Sequence, residues 1–185
     1  APSKGKDFFP KLVGGIFPVS FAAALGAVAS FSEKQRGKIR QILDVGAGSG
    51  AWSLAFAQAI PEARVTALDL PEVLPVTRDF VARFGATGQY NFMEGDMRKA
   101  DFGRNAFDLA LLGHILHSEG VRHGKALIKK CYTALKPGGQ LLIAEYVPND
   151  ARTGPVLPLL FGLNMLIHTE EGNVLAEDEQ WAKLR

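Results

Sequence analysis

The segment between residues 41 and 51 constrains the fold more than any other part of the chain. An apolar run with strand character, Gln41–Val45, leads into a glycine-rich turn and then into a helical pattern that begins at Ala51. The turn contains Gly46, Gly48 and Gly50, and glycine allows a tight backbone turn that can approach a ligand closely. A second strand-like run reaches Asp69, where a carboxylate can accept hydrogen bonds from a ribose diol. This arrangement is typical of a nucleotide-binding βαβ unit and predicts an adenosine-containing cofactor.

The whole chain after residue 40 alternates between strand and helix patterns. Strands are predicted over residues 41–45, 64–70, 90–94, 107–112 and 140–147, and helices over 51–60, 71–84, 121–135, 155–167 and 177–184. The Lys-Pro-Gly-Gly run at residues 136–139 predicts a turn before the last strand. Strands that alternate with helices predict an α/β fold, a Rossmann-like doubly wound parallel sheet.

Composition excludes several classes of protein. The chain has 185 residues, 47% of them hydrophobic, which suits one domain with a substantial core. Its formal net charge of +2, with no basic run interleaved with aromatic residues, argues against nucleic-acid binding. Cys131 is the only cysteine, which excludes an internal disulfide and a cysteine-rich zinc site. We expect Cys131 to be a small core residue.

The N-terminal region has a long uncharged segment at residues 12–32 that follows three lysines. That pattern is shared with membrane spans and secretory signals, but four glycine and proline residues interrupt it, and Pro18 would break a helix. We therefore expect residues 1–40 to be an apolar helical segment, without a membrane role. It would pack on a cofactor-binding domain of residues 41–185, or on a segment absent from this chain. A cytoplasmic location is the default expectation.

Asp69 would suit either a dinucleotide or S-adenosylmethionine, but three other side chains distinguish between these cofactors. Asp44 lies directly before the glycine turn, where it would crowd a pyrophosphate but suit a cationic amino-acid end. Asp96 can accept a hydrogen bond from an adenine amino group, and Met97 offers a soft apolar face to the ring. Together with Asp69, these residues would lie at the sheet edge where open α/β folds bind ligands. The set favours S-adenosylmethionine over NAD.

At this point the sequence resembles the class I S-adenosylmethionine-dependent methyltransferases. It resembles in particular the small-molecule O-methyltransferases of the plant caffeate type and their bacterial polyketide-tailoring relatives. The runs that match are Asp-Val-Gly-Ala-Gly-Ser-Gly at 44–50, Asp-Leu-Pro-Glu-Val at 69–73, Gly-Asp-Met at 95–97, Ile-Leu-His at 115–117 and Ala-Glu at 144–145. The resemblance implies cofactor contacts from Asp44, Gly46, Gly48, Gly50, Asp69, Leu70, Asp96, Met97 and Gly113.

The same resemblance implies the catalytic residues. His117 would be the general base for a hydroxyl acceptor, and Glu145 would fix the tautomer of its imidazole. An imidazole with a pKa of about 6.5 is a suitable proton acceptor for a phenol with a pKa of about 10. The residues expected to line the acceptor pocket are Phe161, Asn164, Met165 and His168.

Two positions depart from the plant enzymes. Those enzymes have a Lys where this chain has Gly113, so one side-chain contact to the cofactor is absent. They also have a second Glu at a position that matches Val174, for which only Glu170, Glu171 or Glu177 could substitute. These differences leave methyl transfer to carbon or nitrogen open as an alternative.

Two more hypotheses compete with methyl transfer. An NAD-dependent oxidoreductase is disfavoured by Asp44, and a degenerate methyltransferase fold would have no catalytic role. Metal binding is not expected, because His114 and His117 have no third ligand at a recognisable spacing. The resemblance implies a small-molecule acceptor and a homodimer. It also implies two further strands and an N-terminal dimerisation region that this sequence does not contain, so we expect a fragment.

Overall fold

A computed structural model describes residues 8–168, 172–176 and 178 of the chain. The strands are β1 (Gln41–Val45), β2 (Arg64–Asp69), β3 (Tyr90–Glu94), β4 (Phe107–Gly113) and β5 (Leu135–Ala144). The helices are α1 (Phe8–Gly15), α2 (Phe17–Ser30), α3 (Glu33–Arg36), α4 (Ala51–Ala59), α5 (Leu74–Arg83), α6 (Leu116–Ala134) and α7 (Val156–His168), with a short 3₁₀ turn at Thr87–Gln89. The helix predicted over residues 177–184 lies outside the described residues, apart from Asp178.

The five strands form one sheet in the order β3-β2-β1-β4-β5, and every neighbouring pair is parallel. This confirms the predicted doubly wound parallel sheet. The carboxyl ends of parallel strands meet at one edge of the sheet, and the central strand β1 brings the glycine turn to the middle of that edge. The strand order reverses between β1 and β4, which is the point where such sheets form a ligand crevice.

The observed elements differ from the predicted ones at several ends. Helix α5 begins three residues after Pro71, because the carbonyl of Leu70 accepts hydrogen bonds from the N–H groups of Val73 and Leu74 and closes a turn first. Helix α6 begins five residues before the predicted start at Val121 and contains a break at Gly120, which adopts φ 66°. Sequence periodicity did not reveal this first turn, because the break separates it from the regular helix.

We predicted that residues 136–139 form a turn before the last strand. This is wrong, because these residues lie inside β5. Leu135 pairs with Phe107, and the next pair joins Gln140 to Leu109, so the intervening residues form a bulge. Gly138 adopts φ 80°, a conformation that favours glycine. Strand β5 consequently starts before the bulge and ends three residues before the predicted end at residue 147.

Alternate residues of the central strands face two separate cores. Ile42 belongs to the core on the side of α2 and α4, whereas Leu43 belongs to the core on the side of α6. Cys131 lies in the second core, and burial raises the pKa of its thiol to about 12. The prediction of a core cysteine therefore agrees with its surroundings.

Most of the uncharged segment lies in α1 and α2, which are separated at Ile16, and Pro18 occupies the first turn of α2. Phe17 of α2 stacks on Phe80 of α5 with the ring centroids 4.0 Å apart, and α2 packs along α4. Among the described helices, no single one is long and apolar enough to cross a membrane. Helices α1 and α2 reach that length and composition only together, across a bend of 54°.

Candidate active site

The glycine turn is held by the end of strand β2. Gly46, Gly48 and Gly50 adopt φ values of 66°, 57° and 75°, which side chains disfavour. The N–H groups of Gly46 and Ala47 both donate to the carbonyl of Leu68, at 2.9 and 3.0 Å. A Cβ atom on Gly46 would lie 2.9 Å from the side chain of Ile115, so the turn also passes too close to its neighbour for a larger residue.

Asp69 joins this turn to β2. Its Oδ2 accepts a hydrogen bond from the N–H of Gly48, and its Oδ1 accepts one from the N–H of Leu70, both at 2.7 Å. Burial raises the pKa of Asp69 above its ordinary value, although these two hydrogen bonds oppose the rise. Leu70 is half-buried directly after it. Asp69 therefore holds the glycine turn through Gly48, and it also lies where we expected a contact to the ribose.

Asp44 is the most deeply buried acidic residue at this edge, with an exposed fraction of 2%. Burial raises its pKa to about 6, despite hydrogen bonding from Ser53, and the nearby Asp69 adds to the rise. Its Oδ2 atom is buried and has no hydrogen-bond partner among the described residues. Buried polar atoms are nearly always hydrogen-bonded in folded proteins, so this oxygen is suited to a ligand that carries a donor.

Asp96 and Met97 follow the end of β3 and are half-buried. The Oδ1 of Asp96 accepts a hydrogen bond from the N–H of Arg98 at 2.8 Å, which fixes the turn after the strand. The side chain of Met97 packs against the core on the α6 side. Arg98 is held in turn by a charged pair with the buried Glu119, at 2.8 Å. Sequence reasoning did not identify that pair.

His117 and Glu145 are brought together by the ends of β4 and β5. The Nδ1 of His117 lies 2.8 Å from Oε2 of Glu145. The other carboxylate oxygen, Oε1, accepts hydrogen bonds from the N–H groups of Leu116 and His117, at 2.6 and 3.2 Å. Both side chains are largely buried, with exposed fractions of 14% and 5%. An ionised carboxylate can only accept, so Nδ1–H is the donor in this contact, and in the neutral imidazole Nε2 is then the nitrogen that can accept a proton.

Helix α7 lies beside this pair. The ring of Phe161 stands at 90° to the His117 imidazole, with 4.8 Å between centroids. Met165, one turn later, is buried, whereas Asn164 is exposed. The side chain of His168 lies outside the described residues. Residues 161, 164, 165 and 168 have the spacing of one helix face, so three described members of the expected pocket share a side of α7.

The segment after α7 returns to His117. The N–H of Asn173 donates to the carbonyl of His117 at 2.9 Å, and Val174 is buried. A Cβ atom on Gly162 would lie 3.6 Å from Val174, so this segment packs directly on α7. The acidic residues considered as substitutes for the plant enzymes' second Glu, at positions 170, 171 and 177, lie outside the described residues.

A chain of aromatic contacts that the sequence did not reveal connects the glycine turn to the His117 pair. Trp52 contacts His114 edge to face, and His114 stacks on Tyr146 with centroids 4.6 Å apart. Tyr146 contacts Phe161, 4.4 Å away. His114 adopts φ 56°, its Nδ1 is buried without a partner among the described residues, and burial lowers its pKa.

Within the described residues, no cluster of His, Cys, Asp or Glu could hold a metal ion.

Gly113 is required by the indole of Trp52. A Cβ atom at position 113 would lie 2.2 Å from Cδ1 and 2.5 Å from Nε1 of that ring. The absent lysine of the plant enzymes is thus explained by sterics, because Trp52 fills the space where its side chain would begin. In the sequence, the only indication of this arrangement was that Gly113 stands where the plant enzymes have a lysine.

We expect Gly113→Ala to destabilise the fold by about 1–3 kcal/mol, as is typical of overpacking in a core. Gly88→Ala is the matched control, because a Cβ there meets no atom within 4 Å. Urea unfolding of both variants measures the difference. In the double variant with Trp52→Ala, the cost of Gly113→Ala should largely disappear. Additive costs in the double variant would show that the indole is not what excludes a side chain.

Comparison with known proteins places these features in a family. A sequence model of the O-methyltransferase domain matches residues 23–185. The tetracenomycin polyketide synthesis 8-O-methyl transferase of Streptomyces glaucescens is 35% identical over 130 residues, which cover 70% of this chain and 38% of that protein. The L-tyrosine C(3)-methyltransferase of Streptomyces lavendulae is 30% identical over 135 residues, which cover 73% and 37%.

A solved structure shows the same similarity in three dimensions. The human N-acetylserotonin methyltransferase, determined in complex with SAM, superposes with a TM-score of 0.76 at 27% sequence identity. The match covers 95% of this chain and 48% of that one, so the chain spans less than half the length of each of these three proteins. The family match and the shared fold confirm the resemblance seen in the sequence, and the chain belongs to the O-methyltransferase domain family.

Proposed function

We propose that this chain is the cofactor-binding and catalytic part of an S-adenosylmethionine-dependent O-methyltransferase with His117 as its general base. The observation that carries this proposal is the His117–Glu145 pair, with 2.8 Å between Nδ1 and Oε2, beside Phe161. The pair lies at the same edge of the sheet as the glycine turn. Methyl transfer to a small molecule requires that the acceptor, its base and the bound cofactor lie close together, and a base at the same edge as the glycine turn meets this requirement.

The residues at this edge fit the cofactor. Asp44 has a buried carboxylate oxygen, without a partner among the described residues, for the cationic ammonium, and its negative charge would repel a phosphate beside it. We assign the remaining contacts to the glycine turn, to Asp69 and Leu70 for the ribose, and to Asp96 and Met97 for the adenine. Gly113 contributes by leaving room for Trp52. The cofactor, when bound, supplies a methyl group that is already activated on a sulfonium.

The chain's own residues would align the acceptor and move one proton. Nδ1–H of His117 donates to Glu145, which leaves Nε2 to accept the proton of the acceptor hydroxyl. The imidazolium that forms is stabilised by the buried carboxylate. The two backbone N–H groups on Oε1 hold that carboxylate in place, so the base is oriented before the acceptor arrives.

The acceptor proposed is a small aromatic or polyketide-like hydroxyl compound. The ring of Phe161 lies next to the base and contacts Tyr146, and the buried Met165 follows Phe161 by one turn of α7. A planar aromatic molecule is suited to such a surface. Methyl transfer to carbon is the second candidate, because the similar Streptomyces lavendulae protein is named as an L-tyrosine C(3)-methyltransferase.

Three further expectations stay proposals. We propose residues 41–185 as the catalytic domain, with residues 1–40 as the helical segment before it. The homodimer and the cytoplasmic location also remain predictions.

The test is calorimetric titration of this chain with S-adenosylhomocysteine, the demethylated cofactor, with NAD as the matched control. We expect micromolar binding of S-adenosylhomocysteine and none of NAD. Binding of NAD alone would contradict the proposal. In a chain that turns over, NMR of the methylated product then distinguishes an O-methyl from a C-methyl group, and the latter would favour the second candidate.

A further inference from the structure

Two buried polar atoms at the sheet edge have no hydrogen-bond partner in the part of the chain that the structure describes, and they have opposite hydrogen-bonding character. One is Oδ2 of Asp44, which can only accept while the carboxylate is ionised. The other is Nε1 of Trp52, an indole N–H that can only donate. Both residues are buried, with exposed fractions of 2% and 7%. Leaving either atom without a partner is costly, so both point to a ligand.

The sheet register places these two atoms on the same face. Asp44 of β1 is directly opposite Leu111 of β4, and Gly113 lies two residues further along β4. Because side chains alternate along a strand, Asp44 and the position of a Gly113 side chain face the same side. Trp52 Nε1 stands 2.5 Å from where that Cβ would be. Ser53, the next residue of α4, lies close enough to the Asp44 carboxylate to oppose the rise in its pKa.

A ligand that satisfies both atoms must carry a donor and an acceptor close together. An ammonium group suits the carboxylate of Asp44, and a carboxylate group suits the neutral indole N–H. The two groups occur on one carbon in a free α-amino acid, and therefore in the amino-acid end of the cofactor. Adenine and ribose do not offer this combination of a cation and an anion.

We propose that Trp52 is a cofactor-binding residue whose indole N–H donates a hydrogen bond to the carboxylate of the amino-acid end of S-adenosylmethionine. Asp44 would accept from the ammonium group of the same end. This inference rests on the proposed function, since it names a contact to that cofactor. It also gives Gly113 a role, because only glycine allows the indole to occupy the place above the end of β4.

The test compares two ligands that differ only in the amino-acid end. S-adenosylhomocysteine has that end, and 5′-methylthioadenosine keeps the adenosine and the thioether without it. Trp52→Phe removes the N–H and keeps an aromatic ring in the space. We expect calorimetry to show about tenfold or more weaker binding of S-adenosylhomocysteine to Trp52→Phe. Binding of 5′-methylthioadenosine should change by less than about twofold.

Equal weakening of both ligands would show that the indole only packs, and no weakening of either would also overturn the proposal. A failure of the wild-type chain to bind S-adenosylhomocysteine would instead contradict the proposed function, which separates the two failures.

A second measurement does not depend on a variant's binding. The chain has two tryptophans, so the indole N–H resonance that Trp52→Phe removes belongs to Trp52. S-adenosylhomocysteine should shift that resonance and slow its exchange with water, whereas 5′-methylthioadenosine should not. The absence of any effect with S-adenosylhomocysteine would overturn the inference.

Discussion

Replacing His117 with alanine is expected to lower the methyl-transfer rate by about 10²–10⁴-fold, the usual contribution of a positioned general base. The imidazole is the group that Glu145 orients through the 2.8 Å contact to Nδ1, and its Nε2 is the proposed proton acceptor. Binding of S-adenosylhomocysteine should change by less than about twofold, because His117 is not assigned to the cofactor. Ser118→Ala is a matched control in the same turn, since within the described residues that hydroxyl donates to the carbonyl of Ile115 and to no other group.

The acidity of the acceptor distinguishes a base from a positioning residue. A phenol with a pKa of about 7 ionises without help near neutral pH, whereas one with a pKa of about 10 does not. The rate loss in His117→Ala should therefore shrink strongly for the more acidic phenols. The measurement is turnover against a series of substituted phenols, in a chain that methylates at least one of them. An equal loss across the series would contradict the assignment of His117 as the base.

Asp44→Asn is expected to weaken S-adenosylhomocysteine binding by about 10–100-fold while making the ligand-free protein more stable. The variant keeps the size of the side chain and removes the charge that would pair with the ammonium group. Burial raises the pKa of Asp44 from 3.8 to about 6. The ionised carboxylate at neutral pH therefore lowers the free energy of unfolding, and Asp44→Asn removes that cost. That rise corresponds to about 3 kcal/mol as an upper figure.

The sign of the pH effect follows from the raised pKa. Between pH 4 and 6 the Asp44 carboxyl binds more protons in the folded than in the unfolded state, so its contribution to wild-type stability falls as pH increases through this window. Asp44→Asn lacks that contribution, and its advantage should grow up to about pH 6 and then stay constant. Wild-type affinity for S-adenosylhomocysteine should fall below about pH 6, where protonation of Asp44 competes with the ligand.

Urea unfolding and calorimetry at pH 4.5, 6 and 8 test both effects of Asp44→Asn. Equal affinity of the variant and the wild type, with the same pH dependence, would contradict the role given to Asp44. A loss of affinity that does not depend on pH would show that the amide disturbs the site's shape instead of removing its charge.

The sequence was sufficient to predict the sheet and the place of most site residues. Strands β1 and β3 match their predicted bounds, and alternation alone implied that Asp44, Asp69 and Asp96 would gather at one edge. The ends of α6 and β5 were not predictable, because a break at Gly120 and a bulge after Leu135 interrupt the local pattern. Hydrophobic periodicity describes only regular elements, so it does not indicate a break within a helix or a bulge within a strand.

The finer features of the site depend on atoms that meet only in three dimensions. Asp69 was expected to face a ribose, yet the N–H groups of Gly48 and Leu70 also bond to both of its oxygens. In the sequence, Trp52 is one more apolar residue in the first turn of a helix. Its unpartnered N–H becomes visible only when Gly113 is placed beneath the ring. The pairing of His117 with Glu145 came from the family resemblance, since nothing in their spacing required it.

The strand order β3-β2-β1-β4-β5 has a consequence for how the chain can assemble during synthesis. Of these five strands, β1 is the first in the chain and the middle one in the sheet, and each later strand pairs with an edge that the earlier ones leave free. Strands β2 and β3 extend one side in turn, and β4 and β5 extend the other. No strand among these five has to be inserted between two that have already paired, so this part of the parallel sheet can be built outward from β1 in the order of translation.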